Sequence, residues 1–275
     1  MRSFNKALHY IPRMSLLYFF FFIFGLIIGS FINALVYRLH EDKSLWERSL
    51  CPQCGKTLAW FHNVPLVSFV FLGGRCAFCK QAISFQYPLI ELISGVLFFL
   101  SGFFFLQGDG DWPYVIWLCF FLSVTLALIL FDLRYMEVPT VLVNIGIGGT
   151  FLWLLFLSVG SSGLWYTSPL LLGLAGGSVI SFLFFLLVYF SHETWMGWGD
   201  VGLGFLAGLA VGISQALFLL TLSFTLGALV GLLLILLKKK GMASAVPFAP
   251  FLLTATVLLL FFSRIFPVLL APFFL

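Results

Sequence analysis

Two stretches of the chain, "FDLRYMEVPT" (131–140) and "MGWGDVGL" (196–203), each set an aspartate beside a long apolar run: Asp132 and Asp200. Only ten residues of 275 are acidic, so carboxylates in such places need a reason. A charged side chain at bilayer depth costs about 2.5–3.5 kcal/mol on insertion scales, and it usually faces an interior cavity and has a task there. Two carboxylates held close cannot both ionise easily and share one proton. The ionised one can draw a proton from water while the protonated one donates to the carbonyl oxygen under attack, which hydrolyses a peptide bond without a covalent intermediate. Gly197 and Gly199, just before Asp200, let the backbone turn and come near an extended substrate strand. The residues alone leave other roles open. Two membrane aspartates could carry protons or ions through a transporter, and Asp200 could simply cap a helix.

A second constellation lies nearer the N-terminus. Cys51 and Cys54 form one C-x-x-C hook and Cys76 and Cys79 another, with 21 residues between them. Four thiolates in two hooks match a closed tetrahedral structural zinc site, which folds a loop too small to hold itself. Gly55 after the first hook and Gly73–Gly74 before the second allow tight turns. Disulfides or free thiols are the alternatives, and a reducing cytoplasmic compartment disfavours disulfides. His62, between the hooks, reads as an ordinary loop histidine, and Cys119 as apolar packing.

The elements that must position these residues are membrane helices. The chain is 62% hydrophobic and 9% charged, with a mean hydropathy of +1.14, whereas a soluble domain is about a quarter charged. The apolar runs are continuous and about 20 residues long, as spanning helices require, rather than short and alternating as in barrels. The predicted fold is an all-α polytopic membrane protein with about eight spans, near 15–36, 88–106, 113–131, 138–158, 169–190, 200–213, 216–237 and 247–263. Three parts follow: an N-terminal segment and first helix (1–36), a four-cysteine loop module (37–87) and a membrane bundle (88–275). Arg38, Lys43, Arg48, Lys56, Arg75, Lys80, Arg134 and Lys238–Lys240 fall on one face of this topology, which makes that face cytoplasmic and puts both termini opposite. Arg2, Lys6 and Arg13 run against that orientation. The net charge of +4 is small and scattered, which excludes a nucleic-acid partner; the partner that composition demands is the lipid bilayer. No internal repeat stands out.

Several motifs, in order along the chain, resemble one family. They are "GSFINALVYRLH" (29–40), both cysteine hooks, "NVPLVSFVFLGGRC" (63–76), "ISFQYPLIELISG" (83–95), "FDLRYMEVP" (131–139), "MGWGDVGL" (196–203) and "PFAPFL" (247–252). Together they resemble the type IV prepilin leader peptidases, intramembrane Gly-x-Gly-Asp aspartyl proteases of the bacterial cytoplasmic (inner) membrane. The resemblance implies that Asp132 and Asp200 are the catalytic pair. It implies prepilin and pseudopilin substrates, cut at the cytoplasmic face between a short basic leader and a hydrophobic helix. It also implies S-adenosylmethionine-dependent N-methylation of the new N-terminus, an activity of many members that carry the cysteine loop. Glu91 and Arg134 match family positions and are assigned supporting roles. The alternatives are a protease without methylation, and a non-enzymatic transporter or assembly scaffold. The chain departs from the family pattern at Gly202, where a lysine is usual, and at Thr140, where Asp or Asn is frequent. It also has one extra residue between Glu193 and Asp200, so no role is carried over to Glu193.

Overall fold

The structure, a computed structural model, describes residues 2–51, 53–106, 111–159, 168–237 and 247–265, with the side chains of 2–15, 264 and 265 left aside. The Lys238–Lys240 run, most of the "QGDGD" turn and the chain beyond 265 lie outside these residues. Among the described residues the regular structure is helix, apart from two isolated antiparallel bridges in the cysteine loop, whose chain is otherwise mostly turns and irregular. In chain order the helices are α1 (Arg2–His40), the five-residue α2 (Val67–Phe71), α3 (Gln86–Phe105), α4 (Trp112–Tyr135), α5 (Thr140–Val159), α6 (Pro169–Ser191), α7 (Trp198–Val211), α8 (Ala216–Leu236) and α9 (Ala249–Ile265).

Eight of these helices coincide with the eight apolar runs. Six have the length and composition to cross a bilayer: α1 from Leu16, α3, α4, α5, α6, and α8 with the turn that leads into it. The expectation of eight spans is therefore met by six such helices and two shorter apolar ones, α7 with 14 residues and α9 with 17. At 1.5 Å per residue α7 is about 21 Å long, well short of a hydrocarbon core of about 30 Å. The protein is a multi-pass membrane protein.

The chain divides into two compact units, 1–127 and 128–275, with α4 running through the boundary. In the first unit α1 packs along α3, and glycines make the contact. A Cβ on Gly25 would lie 2.6 Å from the Ser94 carbonyl oxygen, and one on Gly29 would lie 2.6 Å from the Glu91 Cα. In the second unit α6 packs along α7 through a longer stripe of the same kind. A Cβ on Gly176 would meet Gly208 and Gly212 backbone at 2.7 Å or less, and one on Gly177 would lie 2.9 Å from the Phe205 carbonyl oxygen. In lipid no hydrophobic drive holds helices together, so small residues that let backbones meet and disperse against each other supply the adhesion. Ser181 Oγ adds a hydrogen bond to the Val201 carbonyl across this seam at 3.1 Å.

Local signals set the helix ends around the site. Ser168 caps α6 by accepting from the Leu171 N–H, and Pro169 occupies its first position. Met136 turns left-handed (φ 54°) and returns its N–H to the Asp132 carbonyl at 2.9 Å, which stops α4 three residues before Pro139. His192 (φ 49°) and Glu193 (φ 64°) stop α6 in the same way.

Candidate active site and metal centre

Asp132 lies in the last turn of α4 and Asp200 in the first turn of α7, both within the second unit. The fold packs the two aspartate motifs together, a Cβ on Gly199 beside Asp200 lying 2.6 Å from the Cβ of Val138 in the segment after α4, and the charge of Asp200 is felt at Asp132. Asp132 is only 6% exposed, and its Oδ2 accepts no hydrogen bond from the described residues. The backbone N–H of Ala249, the first residue of α9, lies near its carboxylate. A helix N-terminus carries partial positive charge and free N–H groups, so α9 is built to face an anion. Asp200 Oδ2 accepts from the Gly197 N–H at 3.2 Å, closing the first turn of α7 on itself. The capping role that the sequence left open for Asp200 is thus present together with its place beside Asp132.

The depth of the pair follows from the α6–α7 seam. These helices run antiparallel, and the Trp198 ring packs against Phe185 with centroids 5.8 Å apart. Phe185 is six residues from the end of α6 at Ser191, so the start of α7 lies roughly 9 Å short of that end at 1.5 Å per residue. The segment 192–197 dips back to reach it. Glu193 Oε1 accepts from the Trp198 Nε1–H at 2.7 Å and ties this dip to α7. A cavity of about 460 Å³, lined in part by His192, Glu193 and Trp198, opens beside the same corner.

The two glycines before Asp200 have different surroundings. A Cβ on Gly199 would lie 2.6 Å from the Val138 Cβ, so this glycine lets α7 meet the "MEVP" segment that follows α4. It joins the two aspartate motifs, where the sequence suggested approach to substrate. Around Gly197 nothing lies within 4 Å of an added Cβ, which leaves that position open to a partner strand. Gly202 is helical, and its Cβ position points at Val143 Cγ1 of α5 at 3.2 Å. Arg134 is half-buried, two residues beyond Asp132 on α4.

In the first unit the four cysteines converge. One sulfur from each of Cys51, Cys54, Cys76 and Cys79 lies within 4.8 Å of all the others, and Cys51 and Cys79 sulfurs are 3.9 Å apart. A tetrahedral site with metal–sulfur bonds of about 2.3 Å needs sulfurs about 3.8 Å apart, so the donor set fits a metal ion with a small contraction. All four thiols are free of disulfides. The thiols compete for protons: the Cys76 thiol is drawn down to about 6, first by the Cys79 backbone N–H and then by that of Phe78, whereas Cys79, despite the lowering Gln81 N–H, is pushed up to about 11 by burial and by the other three thiols. His62 Nδ1 accepts from the Ala59 N–H at 3.3 Å, in line with its reading as a loop residue.

The hooks also form a repeat that the residue types conceal. Leu50 bridges Thr57, and Arg75 bridges Ala82, each position displaced by 25 residues from its counterpart. The Cys51 N–H donates to the Lys56 carbonyl, and the Cys76 N–H to that of Gln81. The left-handed residue is Gly55 in the first hook and Lys80 in the second. The sequence signalled only the glycine. Gly73 and Gly74 are left-handed too (φ 61° and 67°), but they end α2. Glu91 also belongs to this unit. It is buried in α3 and accepts the Leu66 N–H from the cysteine loop at 2.8 Å.

Comparison with known proteins supplies the family. Residues 23–105 match the bacterial peptidase A24 N-terminal domain, and residues 119–232 match the type IV leader peptidase family. The chain belongs to the type IV leader peptidase family. A prepilin leader peptidase/N-methyltransferase of Pseudomonas putida is 33% identical over 85% of this chain and 86% of its own length. One of the same description from Bacillus subtilis is 30% identical over 86% of this chain and 91% of its own length. A third, from Myxococcus xanthus, is 48% identical over 81 residues, which cover 24% of that protein. No solved structure matches the chain.

Proposed function

We propose that this protein is an aspartic endopeptidase that removes the short leader of type IV prepilins or pseudopilins at the cytoplasmic face of the inner membrane, and that it then N-methylates the new N-terminus. The observation that carries the reading is the packing of the two aspartate motifs on each other, Gly199 of the second against Val138 of the first. Two family motifs supply the carboxylates, Asp132 and Asp200 being 68 residues apart in sequence, and a third, "PFAPFL", brings the start of α9 near them.

In this mechanism the ionised carboxylate takes a proton from a water molecule as that water attacks the scissile carbonyl. The protonated partner donates to the carbonyl oxygen, and the proton gained passes to the leaving nitrogen. The Ala249 N–H stabilises negative charge on Asp132. The open backbone at Gly197 gives an extended substrate a place to lie next to Asp200. The four cysteines would hold a zinc ion, which supplies cross-linking of the loop rather than chemistry, because a four-thiolate site has no open position. S-adenosylmethionine would supply the methyl group, an assignment supported by the relatives alone. Among the described residues no donor set selects it, and no step is drawn through it.

The test is a processing assay in membranes carrying this protein and a prepilin. Leader removal that depends on both aspartates is expected, with a product N-terminus heavier by one methyl group. Uncut prepilin would overturn the peptidase; a cut but unmethylated product would overturn the methyltransferase alone.

A further inference from the structure

The loop between the cysteine hooks contains an apolar stretch, "VPLVSFVFLGG" (64–74), that the proposed chemistry does not use. Its helix α2 buries no residue. Val67, Val70 and Phe71 are 48%, 75% and 86% exposed, and nearby Trp60 is 81% exposed. A patch of this kind in water marks an interaction surface, and its depth says with what.

Leu66, which precedes α2, is pinned by its N–H to Glu91 Oε2 at 2.8 Å. Glu91 is the sixth residue of the spanning helix α3 and rests against Gly29 of α1. Gly29 lies nine residues before Arg38, the first charged residue after the apolar run of α1. Arg38 faces the loop, donating to the carbonyls of Leu45 and Glu47 at 2.6 Å. Nine residues at 1.5 Å put the Glu91 backbone roughly 13 Å inward of Arg38 along α1, and its place in α3 puts it about 8 Å in from Gln86; Leu66, held by the Glu91 side chain, therefore lies at or below the inner edge of a headgroup layer about 5–8 Å thick.

The backbone fits that depth. Non-helical chain in a membrane must satisfy its own polar groups. Leu66 N–H is taken by Glu91, Val67 by the Pro65 carbonyl, Ser68 by Val64, Val70 by Leu66 and Leu72 by Ser68. Pro65 has no N–H to satisfy, and Ser68 Oγ returns to the Val64 carbonyl at 2.7 Å. Gly73 and Gly74, both left-handed, turn the chain out again just before Cys76. Over 41–85 the loop carries five Lys or Arg against three Asp or Glu, a balance suited to anionic headgroups.

We infer that residues 64–72 re-enter the bilayer, with Val67, Val70 and Phe71 among the acyl chains, and dock the cysteine module on the membrane surface. The module is then a peripheral domain held against lipid, and its metal site sits at the headgroup level.

The test uses the full-length, metal-loaded protein in nanodiscs of phosphatidylcholine and phosphatidylglycerol, doped with a phospholipid bearing a diazirine on its acyl chain. After irradiation and digestion, label is expected on the peptide containing 67–72. A Val70→Ser/Phe71→Ser variant should lose that label while keeping its metal content and the labelling of α1. Glu91→Ala should release the turn, giving less label at 67–72 and faster hydrogen exchange at Leu66 and Ser68. Wild-type protein labelled on α1 but not on 67–72 would overturn the inference, as would cross-links from this face to a second copy or another segment of the chain. None of these readouts depends on peptide cleavage.

Discussion

At the scale of single residues, the site rests on two carboxylates and on what surrounds each glycine near them. Asp132→Asn and Asp200→Asn keep shape but cannot cycle a proton. Each should lower prepilin cleavage by roughly 10²–10⁴-fold, and the double variant should be little worse because the pair acts as a unit. Initial rates from membranes with matched protein levels check this; a near-normal rate in either single variant removes that residue from the mechanism. The glycines make a sharper contrast. Gly199→Val would drive a side chain into Val138 and should cost about 1–3 kcal/mol of packing strain, with cleavage lost as the two motifs part. Gly197→Ala meets nothing in the protein and leaves stability unchanged, so any loss of cleavage there reports on contact with substrate. Thermal melting in detergent alongside the cleavage rate separates the two cases. Gly202→Lys is a third case. The sequence permits a turn there, from which a lysine could reach the aspartates and move the acidic limb of activity downward. In the structure both residues are helical, two positions and about 200° apart, and the new side chain would face Val143. The expected result is a rate–pH profile of unchanged shape with modest loss of stability; a limb shifted to lower pH would mean that the lysine reaches the pair after all.

At the scale of elements, helix packing decides where Asp200 sits. On the α6–α7 seam Gly176 and Gly177 face Gly208 and Phe205, Gly173 faces Leu209, and Gly204 faces Ile180 and Phe184, and this seam fixes the height of the short helix. Gly176→Leu should force the helices apart, lower the melting temperature and abolish cleavage although no carboxylate has changed; an unaltered rate would show that the dyad is held by other contacts. The expectations and the structure part company at this scale for physical reasons. Hydropathy placed all eight helices, because length and apolar content are local properties of the chain. Its count of eight spans included two runs already short in the sequence, 200–213 and 247–263, which are apolar helices of 14 and 17 residues, because apolar character marks a helix as buried or membrane-bound without making it long enough to cross. The aspartates and the cysteine hooks were legible because their chemistry is written in residue type. The Ala249 donor was not, since any residue at the start of α9 offers an N–H. The Leu66–Glu91 bond joins positions 25 apart and leaves no periodic trace. The α6–α7 stripe could have been found: glycines at 173, 176 and 177 on one run and at 204, 208 and 212 on the next have the small-residue spacing of a close membrane contact.

At the scale of the whole molecule, the loop from 41 to 85 differs in kind from the rest of the chain. Membrane helices elsewhere bury large side chains such as Phe98, Phe121 and Phe184. Among the described residues of this loop only Cys51 and Cys76 are buried, so its core consists of sulfur. A segment of this size without apolar burial cannot offset the chain entropy of ordering it. The two hooks, each closed by one antiparallel bridge, need something that binds both, and the four thiols within 4.8 Å of one another could hold a metal ion that does so. Structural zinc contributes apparent binding free energies of about 10–16 kcal/mol in small metal-dependent domains, more than enough to order such a loop. Protein purified under reducing conditions without chelator should therefore carry about one zinc per chain by elemental analysis. Cys54→Ser with Cys79→Ser, which takes one ligand from each hook, should release it. A strong chelator should make the wild-type loop as sensitive to trypsin as that variant, with cleavage confined to the lysines and arginines between Lys43 and Lys80, while the membrane helices stay intact. Added zinc should restore protection to the wild type and not to the variant. Metal-free protein whose loop resists trypsin would mean that the hooks are held some other way, and the zinc assignment would fall.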